Sequence, residues 1–109
     1  MFYFYQGETI PINISCDDID LSNYDFVLIV YPHYDHNKVW EFRKNDFAES
    51  TVEGVLQYRL ELSHQITTVM PTGDYIIEIM ILEGGGYRSI YQKTHAFSIK
   101  FSNAKNIEL

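Results

Sequence analysis

The chain has 109 residues, 46% hydrophobic and 16% aromatic, which is enough apolar material for one packed interior and too much for a disordered segment. Fifteen acidic residues against eight basic ones leave a formal net charge of -7, which argues against nucleic acid or anionic lipid as a partner. Cys16 is the only cysteine, so neither an internal disulfide nor a cysteine-based zinc site can form.

The basic residues, among them Lys38, Arg59 and Lys93, form no cluster along the sequence. The N-terminal segment lacks a positive region followed by a long apolar stretch, and the longest apolar run, Phe26 to Tyr31, is far too short to span a bilayer. The expectation is one domain over residues 1–109, made in the cytoplasm with no secretory signal and no membrane partner.

Period-two alternation recurs along the chain, and no segment sustains a period of 3.6. The first feature is Phe2-Tyr3-Phe4-Tyr5, four consecutive aromatics. One face of this segment would pack on the domain's own core. The other would be an exposed apolar stripe on an edge strand, the usual mark of a protein–protein contact. Thr9 to Cys16 reads as a strand with Ile10, Ile12, Ile14 and Cys16 on one side. Pro11 falls on the opposite face and has no N–H, which places that strand at or near an edge.

Asp25 to Tyr31 is apolar on both faces, as a central strand covered on both sides would be. Lys38 to Lys44 alternates Trp40 and Phe42 with Glu41 and Arg43. Val55 to Leu62 is the clearest strand, with Leu56, Tyr58, Leu60 and Leu62 on one face and Gln57, Arg59 and Glu61 on the other. Tyr75 to Leu82 carries Tyr75, Ile77, Ile79 and Ile81 on one side. Tyr87 to Tyr91 and His95 to Phe101 complete about seven predicted strands.

Between them, Asp17 to Asn23 is a polar connection, and Pro32 to Asn37 and Glu83 to Gly86 read as hairpin loops. Asn45 to Gly54 reads as a longer acidic loop, and Ser63 to Thr72 as a crossover with room for one short helical turn. Strands of this number and spacing predict an all-β, antiparallel, immunoglobulin-like sandwich with Greek-key connections.

The crossover ends in Pro71-Thr72-Gly73-Asp74-Tyr75. Tyr75, placed at the head of the most hydrophobic strand, is similar to the tyrosine corner of Greek-key sandwiches, whose hydroxyl bonds back to the crossover backbone. Gly73 would supply the turn. The wider order of motifs runs Gly7 to Ile14, Asp20-Leu21-Ser22-Asn23-Tyr24, Leu56 to Leu62, Thr67 to Tyr75 and Ala96-Phe97-Ser98-Ile99. This order resembles the immunoglobulin-like domain of phage and prophage tail proteins, in particular the N-terminal domain of baseplate upper proteins. The resemblance spans nearly the whole chain and implies a structural protein of the virion that works through protein contacts.

Candidate chemistry is sparse. His33-Tyr34-Asp35-His36 gathers two imidazoles and a carboxylate, yet its spacing matches no metal-ligand signature, and a solvated hairpin tip is the favoured reading. Asp17, Asp18 and Asp20 lack the glycine and terminal glutamate of a calcium loop. Ser63-His64 has no nucleophile elbow around it. Glu78, alone among isoleucines and methionine, would face solvent or act as an acid of raised pKa, the former being commoner.

Nine tyrosines with Trp40 raise a carbohydrate platform, set against the simpler reading that Tyr3, Tyr5, Tyr24, Tyr58 and Tyr91 are strand formers. The expectation is therefore a non-catalytic interaction module with no metal and no cofactor. Its partner would be a protein, a second copy included, with carbohydrate as the alternative.

Overall fold

The computed structural model describes residues 2–15 and 20–102. Eight strands follow in chain order: β1 (Phe2–Tyr5), β2 (Ile10–Ile14), β3 (Phe26–Pro32), β4 (Trp40–Arg43), β5 (Ala48–Val52), β6 (Val55–Leu62), β7 (Gly73–Glu83) and β8 (Gly86–Lys100). One helix, α1 (His64–Val69), lies in the β6–β7 crossover. The protein is all-β, built as a three-stranded sheet in the order β2-β6-β5 and a five-stranded sheet in the order β1-β8-β7-β3-β4.

The alternation in the sequence maps directly onto the layers. In β2, Ile10, Ile12 and Ile14 are buried while Pro11 and Asn13 are exposed, and β2 is an edge strand, as Pro11 requires. In β6, Tyr58, Leu60 and Leu62 point inward between exposed Arg59 and Glu61. The β2–β6 register pairs Ile12 with Leu60 and Ile14 with Tyr58, so both strands turn their apolar side chains to the same face.

From the larger sheet, Phe26, Leu28 and Val30 of β3, Tyr75, Ile79 and Ile81 of β7, and Phe97 and Ile99 of β8 enter the same core cluster. Side chains of this kind each contribute roughly 1.5–3 kcal/mol over their exposed state. Apart from Ile29, which is half-buried, β3 is buried along its length, because β7 and β4 flank it on either side.

Three features differ from the expectation. Ala48–Val52 lies in the segment read as a loop and is strand β5, paired antiparallel with β6. All five of its residues are exposed, so burial imprints no alternation on it. The two closing strands are one, β8, whose register with β7 shifts between Tyr75/Ile77 and between Ile79/Met80. These irregularities interrupt the ladder and with it the alternation, which is why the sequence reads as two pieces. Finally, β1 runs parallel to β8, Phe2 opposite Phe97, so the larger sheet is mixed and not purely antiparallel.

Turn chemistry fixes the connections. Glu83 pairs with Gly86 across a two-residue loop in which Gly84 and Gly85 have φ of 62° and 87°, the left-handed pair a tight hairpin needs. The crossover is pinned to the β1–β2 turn. Thr67 Oγ1 donates to the Glu8 carbonyl at 2.7 Å, His64 Nδ1 donates to the Gly7 carbonyl at 2.7 Å, and Gln6 Nε2 donates to the Met70 carbonyl at 3.0 Å. Ser63 caps α1, its hydroxyl accepting from the Ile66 N–H.

Candidate interaction surface

The aromatic strand β1 lies at the edge of the larger sheet, held to β8 by a four-residue parallel ladder. Phe4 packs edge-on against Phe97, with ring centroids 6.0 Å apart. The other three rings are open, with Phe2 71%, Tyr3 60% and Tyr5 47% exposed. Lys100 extends its ammonium over the Tyr3 ring, 4.3 Å from the centroid.

Beside β1 a cleft of about 580 Å³ opens between the two sheets. Ile12 and Ile14 line one wall; Ile77, Ile79 and Ile90 line the other, with Lys93 among them. Phe2 and Phe4 stand at one end.

Tyr75 is fully buried and stacked on Phe97, centroids 5.3 Å apart at 8°. Its hydroxyl donates to the Pro71 carbonyl at 2.6 Å, and burial holds its phenol well above the ordinary tyrosine range. Gly73 has φ of 127°, a left-handed value that costs little only without a side chain. The nearby Tyr34 ring would meet a Cβ there only at ordinary contact distance.

At the same end, His33 stacks on His95 with centroids 5.3 Å apart, His36 Nε2 lies 3.1 Å from the His33 carbonyl, and His95 Nδ1 lies 3.4 Å from Asp74 Oδ2. Among the described residues no group of three or more His, Cys, Asp or Glu is placed to hold a metal ion.

The remaining candidates separate. Asp20 uses its carboxylate on the Ser22 N–H and hydroxyl, which lowers its pKa, and Cys16, Asp17 and Asp18 lie outside the described residues. Ser63 and His64 serve the helix cap and the Gly7 carbonyl separately. Glu78 is half-buried on the outer face of the larger sheet, where the Tyr31 hydroxyl donates to it at 3.2 Å and Gln92 donates to Tyr31 at 3.0 Å. Of the tyrosines read as strand formers, Tyr58 is buried and Tyr24 half-buried, while Tyr3, Tyr5 and Tyr91 are exposed. Trp40 is half-buried against Tyr75.

One contact has no local signal in the sequence. Lys44 sends its ammonium to the carbonyls of Leu21, Ser22 and Tyr24 at 3.0, 3.2 and 2.7 Å, over the rings of Phe26 and Tyr58. It ties the turn before β3 to the turn after β4.

No protein-family description matches the chain, and no curated protein matches its sequence. Among the described residues, no helix is long and apolar enough to cross a membrane.

Proposed function

We propose that this protein is a non-catalytic interaction module with an immunoglobulin-like, Greek-key sandwich fold, used as a building part of a phage or prophage tail. The fold reading is supported by the strand distribution. Immunoglobulin-like domains place their B, E and D strands on one sheet and C, F and G on the other. Here β2, β6 and β5 form one sheet, and β3, β7 and β8 lie together in the other. The Tyr75 hydroxyl bond to Pro71, four residues upstream at the head of β7, supports it further.

The single observation that carries the functional reading is β1. An edge strand that leaves Phe2, Tyr3 and Tyr5 largely in water is an apolar stripe beside free backbone edge groups, the combination that draws a partner. Its mechanism is display: two packed layers hold the stripe rigid so that association costs little ordering entropy. Light scattering over a concentration series tests it. The expected result is reversible self-association that Tyr3→Ser with Tyr5→Ser abolishes. A particle that stays monomeric at every concentration would refute it. Tail or tape-measure genes beside the gene would support the virion assignment.

A carbohydrate-binding module is the alternative. It is favoured by an open depression that Trp40 shares with Asn37 and Lys38, an aromatic face beside polar hydrogen-bonding groups. A glycan array without hits would remove it.

A further inference from the structure

We infer that the cleft between β2 and β8 accepts an extended, acidic segment of a partner protein, added as a strand along the free edge of β8. The inference rests on the interaction-module reading and names a second surface, which adjoins the β1 stripe at Phe2 but does not include Tyr3 or Tyr5.

Topology supplies the first argument. Strand β1 covers β8 only over Phe97–Lys100, so residues 87–96 have no strand beside them on that side among the described residues. At roughly 3.3 Å per residue this is an open edge of about 30 Å, and the alternate N–H and C=O groups that point away from β7 are available for a ladder. The facing edge of β2 is also open, but Pro11 lacks an N–H there, so β2 serves as a wall and β8 as the pairing edge.

The lining supplies the second. A strand lying on β8 would turn every other side chain into the cleft, toward Ile12 and Ile14 on one wall and Ile79 and Ile90 on the other. Such a segment therefore alternates apolar and polar residues.

Charge chooses the occupant. In a chain of net charge -7, the fifteen residues of β8 include Arg88, Lys93 and Lys100 and no carboxylate. Arg88 is held by Glu83 at 2.8 Å, and Arg43 and Arg59 hold glutamates of their own. Lys93, on the cleft wall opposite Ile77, has no ion-pair partner among the described residues. A second copy pairing through β8 would set two cationic strands side by side, whereas an acidic segment would place a carboxylate on Lys93.

The test selects a random ten-residue peptide library on the full chain, then measures the enriched peptide by fluorescence polarisation and amide exchange. The expected peptides alternate apolar and polar residues and carry Asp or Glu. Their binding should protect the amides within residues 87–96 that point away from β7, which the β7 ladder leaves unprotected in the isolated chain, and should weaken about tenfold in Lys93→Glu, with circular dichroism unchanged. Enrichment without that pattern, binding indifferent to Lys93→Glu, or protection elsewhere would overturn the inference. So would protection of those amides in the isolated chain. If independent of concentration it means the chain fills its own cleft, and if rising with concentration it means a second copy does. Self-association through Tyr3 and Tyr5 is read separately, so loss of this inference leaves the β1 reading standing, and the reverse.

Discussion

Two tyrosines in the core differ by one hydrogen bond, and removing the same oxygen from each should have opposite consequences. Tyr75 and Tyr58 are 0% and 2% exposed. The Tyr75 hydroxyl donates to the Pro71 carbonyl at 2.6 Å, whereas the buried Tyr58 hydroxyl has no hydrogen-bond partner among the described residues. Glu49, opposite Tyr58 across the β5–β6 ladder, helps burial push that phenol up but lies outside bonding geometry.

Tyr75→Phe keeps the stacking on Phe97 and loses the bond, which should cost about 1–2 kcal/mol, the usual net worth of such a bond plus a newly unpaired carbonyl. Tyr58→Phe keeps the edge-on contact with Phe26 and removes an unsatisfied polar atom, so it should be neutral or stabilise by up to about 1 kcal/mol. Urea unfolding reads both, since a slope of roughly 1–3 kcal/mol per molar turns the difference into a clear shift of midpoint. Equal losses in the two variants, or a larger loss for Tyr58→Phe, would refute the reasoning.

Lys44→Met should cost about 1.5 kcal/mol in the same assay, the low end for bonds to a charged donor because the site is half-buried, and exchange of amides in residues 20–24 should quicken. Gly73→Ala should cost about 1–3 kcal/mol through backbone strain alone, because the Tyr34 ring leaves room for the methyl. Stability should fall in alkali: the phenols of Tyr31, Tyr58 and Tyr75 are raised in the folded state, chiefly by burial. Their contribution is complete below the ordinary value of 10.0 and drains away as pH climbs through the folded values. Urea midpoints from pH 7 to 11 check this, with a shallower fall in Tyr75→Phe. Asp20 has the opposite sign: its pKa is lowered, first by the Ser22 side chain, so its contribution is present above 3.8 and lost as acid protonates the folded carboxylate. Asp20→Asn should flatten the acid limb of the same profile.

Most of the layer pattern was legible because burial writes itself into a strand with period two, as at Ile10, Ile12 and Ile14 or at Tyr58, Leu60 and Leu62. Where burial is absent the writing stops, and Ala48–Val52, wet on both faces, carries no signal. A register shift erases it differently: Ile90 and Tyr91 both line the cleft although adjacent in sequence, so alternation breaks inside one continuous strand. The aromatic stripe at Phe2 to Tyr5 could be read as a surface, but not its parallel pairing with β8, which depends on a partner more than ninety residues away. The cleft had no signature at all. Its walls come from Ile12 and Ile14 of β2 and from Ile79 and Ile90 of β7 and β8, a relation between elements and not a property of any one of them.

The parallel arrangement of β1 and β8 also decides how the molecule bears tension. Phe2 lies beside Phe97 and Tyr5 beside Lys100, so traction on the leading end of β1 and the trailing end of β8 runs along both strands in opposite senses. Every rung of that short ladder is loaded together in shear, and none can peel off first as in a hairpin opened from its tip. A body strung by these two ends would yield abruptly, at a force set by the whole patch.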